Sequence, residues 1–220
     1  ALKYERYGAA IGKSGVEAAM AQNTVSKAIS DMTGLDATQV QKDILDGIAN
    51  TSEAIVGQYS RMPGNLEVAV MKAKALGITM DQLHNTGESL LDIESSVGKE
   101  IEYQQLTGKK LLVDGNKSLT NEYRMATLKG DANRQADIMN KLLTEEGETL
   151  ENNMLARQQM ASMLGMSEDS LSKSLQKQKL INQLGEQGKI LFALEGEKDF
   201  LTTAQAMADS GEITQEELKA

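Results

Sequence analysis

Residues 75–83 read Ala-Leu-Gly-Ile-Thr-Met-Asp-Gln-Leu, and this stretch predicts the end of one helix and the start of the next. Gly77 has no Cβ atom, so it can adopt the left-handed conformation that terminates a helix. Thr79 can cap the first turn of the following helix. The apolar Ile78 precedes the cap and can pack against Leu83 in a hydrophobic staple. The stretch is therefore typical of a helix–turn–helix corner.

The same order of a glycine, an apolar residue and a capping residue recurs along the chain. The corner residues are Gly34 and Asp36, Gly77 and Thr79, Gly165 and Ser167 and, in a looser copy, Thr214. The repeated corners predict an all-α fold, in which an array of amphipathic helices is joined by these corners. A DNA-binding helix–turn–helix is disfavoured, because no helix rich in Arg and Lys follows any corner.

Long helices are predicted between the corners. Proline occurs once in 220 residues, and residues with high helix propensity dominate the rest of the chain. No run shows the alternation expected of a half-buried strand. Helices are predicted over residues 2–31, 37–60, 64–76, 80–106, 117–129, 132–163, 168–185, 187–208 and from 215 to the end.

One predicted helix carries a seven-residue rhythm that indicates partial coiled-coil character. The residues that form this seam are Met80, Leu83, Gly87, Leu90, Val97 and Ile101. Glu94 and Gln104 occupy positions where a regular seam would have apolar residues. The spacing predicts a narrow helix–helix contact, within the chain or between copies of it.

Composition and charge exclude several classes of function. The chain has 23 basic and 32 acidic residues and no basic stripe, which disfavours nucleic-acid binding. It has no cysteine and a single histidine, His84, which argues against thiolate or multi-histidine metal sites. No apolar run approaches the roughly 18–20 residues of a membrane helix. We therefore expect no catalytic site, no cofactor, no metal ion and no membrane span, and we expect His84 to lie on the surface.

Two other patterns have a functional and a structural interpretation. Residues 8–14, Gly-Ala-Ala-Ile-Gly-Lys-Ser, resemble a phosphate-binding loop, but three residues separate the glycines instead of four and no strand precedes them. The twelve methionines, Met154, Met160, Met163 and Met166 among them, can line an adaptable groove or fill an aromatic-poor core. The structural interpretation is favoured in both cases.

Five segments resemble, in their order, helical segments of tail tape-measure and tail structural proteins of tailed phages. The segments are Ala75–Leu83 (Ala-Leu-Gly-Ile-Thr-Met-Asp-Gln-Leu), Leu90–Val97 (Leu-Leu-Asp-Ile-Glu-Ser-Ser-Val), Leu106–Leu111 (Leu-Thr-Gly-Lys-Lys-Leu), Ala126–Asp131 and Leu164–Leu171. The resemblance covers roughly residues 74–190, and residues 113–124 depart from it. Its most specific part is Leu-Leu-Asp-x-Glu-Ser-Ser followed by Leu-Thr-Gly-Lys.

The resemblance implies a structural role in a phage virion. Such proteins are helical and oligomeric, lie in the tail tube, set tail length during assembly and leave with the DNA. The implied partners are tail proteins of the tube, baseplate or hub and further copies of the chain. The implied location is the virion tail, with the host cytoplasm during assembly.

The predicted organisation has three parts. They are an N-terminal helical segment over residues 1–62, a segment resembling the tail proteins over 63–195, and C-terminal helices over 196–220. Only six residues follow Thr214, which is too short for a stable helix and predicts a piece of a longer chain. The alternative function is a compact helical adaptor that binds a partner helix in a methionine-lined groove.

Overall fold

The structure, a computed structural model, describes residues 2–61, 64–113 and 116–183. Within these ranges the chain is helical apart from one short hairpin, so the predicted all-α class is confirmed. The helices predicted over 187–208 and from 215 onward lie outside the described residues, as does the predicted 196–220 segment.

Eleven helices and two strands follow one another in the described ranges. They are α1 (Leu2–Ile11), α2 (Gly15–Thr33), α3 (Ala37–Ala49), α4 (Glu53–Tyr59), α5 (Asn65–Ala75), α6 (Met80–Leu91), α7 (Ile93–Thr107), β1 (Leu112–Val113), β2 (Lys117–Ser118), α8 (Leu119–Lys129), α9 (Ala132–Asn152), α10 (Met154–Leu164) and α11 (Glu168–Gln183). Of these helices, none is both long enough and apolar enough to cross a membrane.

The helix predicted over residues 2–31 is wrong, because it divides into α1 and α2. Gly12 has a φ of 70°, a value that ends α1 and turns the chain. Ser14 then starts α2, since its Oγ accepts a hydrogen bond from the backbone N–H of Glu17 at 3.2 Å. The Glu17 carboxylate accepts from the backbone N–H of Ser14 at 2.9 Å and completes a capping box.

The helices predicted over residues 37–60 and 132–163 are also divided. Asn50 ends α3, and Ser52 precedes α4 in an extended conformation. Asn153 separates α9 from α10, and its Oδ1 accepts a hydrogen bond from the backbone N–H of Ala156 at 3.0 Å. Short polar side chains can replace the backbone partners at a helix end, so a break is possible without proline or glycine.

Helix α5 is the centre of the packing. Nine consecutive residues, 65–73, are buried in this eleven-residue helix. The helix packs against α3 on one side and α9 on another, with α4, α6 and α11 in further contact. A helix that is buried on all sides needs apolar residues all round, and the Leu, Val, Ala and Met residues of α5 meet that need.

The packing is continuous across the predicted boundary between residues 1–62 and 63–195. Tyr7 of α1 is buried and donates a hydrogen bond to the carboxylate of Glu67 in α5. Helix α3 also packs against α5. The boundary itself stays a prediction, but its two sides share one apolar core in the described residues.

A short antiparallel hairpin replaces the start of the helix predicted over residues 117–129. Leu112 pairs with Ser118, and Val113 pairs with Lys117. Ser118 then caps α8, because its Oγ accepts a hydrogen bond from the backbone N–H of Asn121 at 3.3 Å. The helix therefore begins at Leu119, two residues later than predicted.

Candidate functional site

The predicted seam divides at Asp92 into a buried half and an exposed half. The residues of the buried half are Met80, Leu83, Gly87 and Leu90, all in α6. In α7, Val97 and Ile101 have exposed fractions of 38% and 51%. The single helix predicted over residues 80–106 is therefore wrong. A role of the exposed half in contacts between copies stays a prediction.

Asp92 produces this break by ending one helix and capping the next. Its Oδ1 accepts a hydrogen bond from the backbone N–H of Ser95 at 3.3 Å, which starts α7. The break leaves the carbonyl of Leu90 without its normal partner within the helix. Ser96 supplies one replacement, since its Oγ donates to the Leu90 carbonyl at 3.1 Å. Arg124 of α8 supplies another, from Nε at 2.7 Å.

The guanidinium of Arg124 joins three helices in the interior. It is 7% exposed, and its Nη2 donates to the Oγ of Ser96 at 2.8 Å. Its Nη1 donates to the Oδ1 of Asn121 at 2.5 Å and to the Oγ1 of Thr120 at 3.5 Å. Thr120 in turn donates to the Glu100 carboxylate at 2.7 Å. These bonds hold α8 against the end of α6 and the first half of α7.

We expect Arg124→Lys to lower the free energy of unfolding by about 1–3 kcal/mol, the range for lost hydrogen bonds to a buried charged group. A lysine has one ammonium group and cannot contact Leu90, Ser96 and Asn121 together. The matched control is Arg134→Lys, where the side chain is 37% exposed and paired with Glu122. We expect the control to change stability by less than about 0.5 kcal/mol. Urea denaturation measures both changes. Equal losses of stability in the two variants would show that the hydrogen bonds of Arg124 do not hold α6, α7 and α8 together.

Gly87 allows α6 and α8 to approach closely. A Cβ atom at Gly87 would lie 2.6 Å from the Oγ1 and 2.8 Å from the Cγ2 of Thr127. Thr127 is fixed by its own bonds, since its Oγ1 donates to the carbonyl of Tyr123 at 2.9 Å. The position thus belongs to an intramolecular helix contact. Gly98, one helix later, has open space around it.

Two alanine substitutions separate close packing from helix propensity. We expect Gly98→Ala to stabilise the protein by about 0.5–1 kcal/mol, because alanine has a higher helix propensity than glycine. We expect Gly87→Ala to destabilise it by about 1–3 kcal/mol, because the methyl group overlaps Thr127. Thermal denaturation of both variants measures the difference. A stabilising Gly87→Ala would show that α6 and α8 are not in close contact.

The glycines of the three described corners all have positive φ, namely Gly34 at 71°, Gly77 at 70° and Gly165 at 65°. The capping oxygens of Asp36, Thr79 and Ser167 accept hydrogen bonds from backbone N–H groups three residues later at 2.8, 3.1 and 3.2 Å. Thr214 lies outside the described residues.

A polar cluster lies among α4, α6, α8 and α9. Tyr59 donates from its hydroxyl to the Oε1 of Gln135 at 3.0 Å. The same hydroxyl is 3.2 Å from the Nδ1 of His84. The only hydroxyl proton of Tyr59 goes to Gln135. The bond between Tyr59 and His84 therefore requires a proton on the Nδ1 of His84, which donates to the Tyr59 oxygen. Gln135 donates to the Oγ1 of Thr127 at 3.1 Å. Burial raises the pKa of Tyr59 to about 12.

His84 is half-buried in this cluster, whereas we expected a surface residue. Its ring meets that of Tyr59 edge to face, with centroids 5.9 Å apart. No serine or threonine hydroxyl is hydrogen-bonded to the ring in the described residues. The cluster therefore joins α4, α6, α8 and α9 through a chain of hydrogen bonds.

Lys72 and Asp137 form a buried ion pair between α5 and α9. The Nζ of Lys72 lies 2.6 Å from the Oδ1 of Asp137, and their side chains are 0% and 17% exposed. Burial lowers the pKa of Lys72. Burial also raises the pKa of Asp137 to about 6, although the charge of Lys72 opposes the shift. Asp131 and Arg134 are the other charged groups that act on this pair.

The stability contribution of Asp137 is expected to fall as the pH rises from about 4 to about 7. Its pKa is about 6 in the folded protein, and about 3.9 in an unfolded chain. The folded state therefore binds more protons in this window, and stability gained by protonation disappears above the folded pKa. Between these pH values, the free energy of unfolding of the wild type is expected to fall by up to about 3 kcal/mol relative to that of Asp137→Asn, a variant that keeps Lys72. A difference independent of pH would contradict the raised pKa.

Two tyrosines donate hydrogen bonds to buried carboxylates. Tyr7 donates to Glu67, whose pKa is raised by burial. Tyr103 of α7 donates to the Oε2 of Glu146 in α9 at 2.7 Å. Glu146 is 7% exposed, although it belongs to an acidic stretch with Glu145, Glu148 and Glu151. The bond from Tyr103 explains how one member of that stretch enters the interior.

The segment that resembles a phosphate-binding loop, residues 8–14, covers the last turn of α1 and the turn that leads into α2. A Cβ atom at Gly8 would lie 2.6 Å from the carbonyl oxygen of Lys13, so the glycine permits a close backbone contact. An open cavity of about 630 Å³ lies beside this turn, with Val16 and Met20 among its lining residues. A smaller cavity of about 200 Å³ lies between α1 and the α3–α4 turn. The charged residues that line the smaller cavity are Lys3, Arg6 and Glu53.

Most methionines in the described residues lie in the core or pack against it, as the structural interpretation predicts. The buried methionines are Met71, Met80, Met139, Met160 and Met163. Met20, Met125 and Met154 are exposed by half or more, and they lie on three different helices. They do not line one common groove within the described ranges.

Helices α7 and α8 together carry an exposed apolar surface. Its residues, the α7–α8 apolar surface, are Ile93, Val97, Ile101, Met125 and Leu128, which are 62%, 38%, 51%, 50% and 69% exposed. The three α7 residues are four apart, so they share one helix face. Met125 and Leu128 share a face with Asn121, whose side chain is bonded to Arg124 beside α7. Arg124 links this part of α8 to Ser96 of α7 through a hydrogen bond of 2.8 Å.

In the described ranges, no three acidic, histidine or cysteine side chains are grouped as a metal site would require. Neither a protein-family model, nor a curated protein, nor a solved structure matches this chain.

Proposed function

We propose that this chain is a helical module of a phage virion protein, of the tape-measure type of tail protein. It acts through helix–helix contacts in tail assembly and DNA delivery, without catalysing a reaction. Its proposed partners are tail proteins of the tube, baseplate or hub and further copies of the chain. Its proposed location is the virion tail.

The observation that supports the proposal best is the position of the segments that resemble tail proteins. Leu90–Val97 contains the break between α6 and α7. Leu106–Leu111 contains Gly108, which ends α7 with a φ of 71°. Ala126–Asp131 contains the end of α8 at Gly130, and Leu164–Leu171 contains the end of α10 at Gly165. Ala75–Leu83 contains the corner at Gly77. The five segments thus all lie at helix ends.

The fold favours a packed module over a rod. One continuous helix of 220 residues would be about 330 Å long. Helices α5 and α9 instead pack against each other, and α7 packs against α10. We propose that the glycine corners set the order of helix packing and that coiled-coil contacts are confined to the exposed half of the seam.

Mass spectrometry of purified virions tests the proposal. We expect peptides of this chain in phage particles at a fixed number of copies per tail. We also expect an in-frame deletion of the codons for residues 2–183 to give defective or aberrant tails in electron micrographs. Infectious particles with normal tails that lack the chain would exclude the proposed role.

The α7–α8 apolar surface favours a second candidate, a helical adaptor that binds a partner helix. Ile93, Val97 and Ile101 form one exposed apolar stripe on α7, which is more than the single exposed residues of an ordinary surface. An adaptor would occur in infected-cell lysate with its partner and would be missing from purified virions. The same mass spectrometry experiment therefore separates the two candidates.

A further inference from the structure

We propose that helix α1 exchanges between two copies of this chain, so that α1 of each copy occupies the site on α3, α4 and α5 of the other. The inference deepens the proposed contacts between copies, and it rests on the proposed function for the role of those contacts. The exchange itself is a property of the purified chain and can be measured without virions.

The site that α1 occupies contains one carboxylate from each of three helices. These carboxylates, which define the α1 site, are Asp46 of α3, Glu53 of α4 and Glu67 of α5. The Nζ of Lys3 lies 2.6 Å from the Oδ1 of Asp46, and the Nε of Arg6 lies 3.2 Å from the Oε1 of Glu53. Because side chains of α1 make these contacts, an identical α1 from a second copy supplies the same contacts.

Apolar packing contributes little to holding α1 in this site. Tyr7, which donates to Glu67, is the only buried side chain among residues 3–11. The cavity of about 630 Å³ lies between α1 and α2, and the cavity of about 200 Å³ lies between α1 and the α3–α4 turn. Release of α1 therefore removes one buried side chain and two exposed ion pairs from the core. Segments with few buried contacts open most easily.

The turn between α1 and α2 is a hinge that depends on two glycines. Gly12 has a φ of 70°, and in the described residues no atom lies within 4 Å of the position of a Cβ atom there. A Cβ atom at Gly8 would lie 2.6 Å from the carbonyl oxygen of Lys13. In a helix that continued from α1 into α2, residue 12 would have a negative φ and the Lys13 carbonyl would turn away from Gly8. Both constraints therefore belong to the bent hinge alone.

Straightening of the hinge moves α1 out of its own site. A continuous helix over residues 2–33 would be about 48 Å long, and its first part would extend away from α3. A second copy that is straightened in the same way places its α1 in the vacated site. Reciprocal exchange then gives a closed dimer with two-fold symmetry.

Val16 and Met20 supply a contact that exists only in the exchanged dimer. They are 65% and 50% exposed in the bent form, and they lie one turn apart directly after the hinge. Exchange brings the hinges of the two copies close to the two-fold axis. These apolar side chains then pack against the other copy instead of lying in solvent.

The bent hinge is favoured at low protein concentration. The capping box between Ser14 and Glu17 forms only where α1 ends before α2. The three-residue link also keeps α1 at an effective concentration of millimolar order beside its own site. We therefore expect a monomer at about 10 μM and dimers on the order of 1 mM. Copies that assemble next to one another reach such local concentrations, so the exchange is confined to the assembly.

Alanine at the hinge tests the proposal. Alanine is disfavoured in the left-handed conformation by roughly a factor of ten, and each dimer relieves two hinges, so we expect Gly12→Ala to tighten dimer formation about a hundredfold. The matched control is Gly108→Ala at the end of α7, where φ is 71° and a Cβ atom likewise has open space among the described residues. The control is expected to stay monomeric at the same concentration. Light scattering over a dilution series measures the mass.

Gly8→Ala is a second variant that strains the hinge in a different way. Its methyl group overlaps the Lys13 carbonyl in the bent form and is free in the straight form. We therefore expect the same shift towards the dimer, and circular dichroism checks that each variant is folded. If both variants are monomeric up to about 1 mM, the proposal is overturned.

A charge reversal distinguishes exchange from any other dimer. One Gly12→Ala chain also carries Lys3→Glu and Arg6→Glu, and another carries Asp46→Lys and Glu53→Lys. Each chain alone has like charges between α1 and the α1 site, whereas the exchanged heterodimer has opposite charges at both sites. We expect native mass spectrometry of the mixture to show the heterodimer at least about tenfold above its statistical share.

One chain with all four charge changes is the control, because it restores opposite charges between α1 and its own site. It is expected to dimerise like Gly12→Ala. A statistical mixture of heterodimers and homodimers from the two half-reversed chains would show that the dimer forms without exchange, and would overturn the proposal. Exchange in a chain that is missing from virions would refute the proposed function alone.

Discussion

Asp137→Ala is expected to lower the free energy of unfolding by about 1.5–3 kcal/mol near neutral pH, the range for a lost hydrogen bond to a charged group. The substitution removes an oxygen that lies 2.6 Å from the fully buried Nζ of Lys72. A protonated Asp137 or an asparagine still offers the Lys72 ammonium an oxygen acceptor at this position, whereas alanine offers none. Because α5 is packed between α3 and α9, a local rearrangement cannot easily expose Lys72 to solvent. Urea denaturation measures the change in stability.

The double variant Lys72→Met and Asp137→Leu is the control for this prediction. It removes both charges and keeps apolar volume between α5 and α9. We expect its stability to equal or exceed that of the wild type by up to about 4 kcal/mol, because desolvation of both charges is then avoided. If the double variant is as unstable as Asp137→Ala, the loss comes from packing and not from the buried charge.

Local helix signals predicted much of the fold. The glycine and capping residues at Gly34, Asp36, Gly77 and Thr79 each act within about four residues, so their effects can be read along the chain. The all-α class follows from the same signals and from the single proline. The breaks at Ser14 and Asn153 had a local signal too, since both residues are favoured helix caps.

Long-range contacts explain what the sequence analysis missed. Arg124 reaches the Leu90 carbonyl across 34 residues, and Tyr59 reaches Gln135 across 76. No spacing rule within one helix predicts such pairs. Arg124 was therefore not among the expected contact residues, and His84 was placed on the surface. The role of Arg124 can be predicted only when it is known that the break at Asp92 leaves the Leu90 carbonyl without its partner in the helix.

The division of the seam has the same cause. A seven-residue rhythm predicts which residues share a helix face, but not whether the helix continues. Asp92 lies in the middle of the rhythm and ends α6. After the break, Tyr103 and Ser96 of α7 face the interior, while Val97 and Ile101 face outward. One periodic pattern therefore encodes a core contact before Asp92 and a surface after it.

Leu90→Ala and Ile101→Ala are expected to have very different effects, although the rhythm treats the two positions alike. Leu90 is 0% exposed, so truncation leaves a cavity among packed side chains and is expected to destabilise the protein by about 2–5 kcal/mol. Ile101 is 51% exposed, and its truncation is expected to change stability by about 0.5 kcal/mol or less.

Denaturation and light scattering of both variants test whether the seam residues of α6 and α7 share one role or have two different roles. A seam used throughout for contacts between copies would make Ile101→Ala reduce both stability and oligomer size. The structure instead predicts that Leu90→Ala affects folding at every protein concentration, because Leu90 belongs to the core of its own chain. A loss of stability in Ile101→Ala that is large at high protein concentration and disappears on dilution would place Ile101 in an interface between copies, because association stabilises only the associated form.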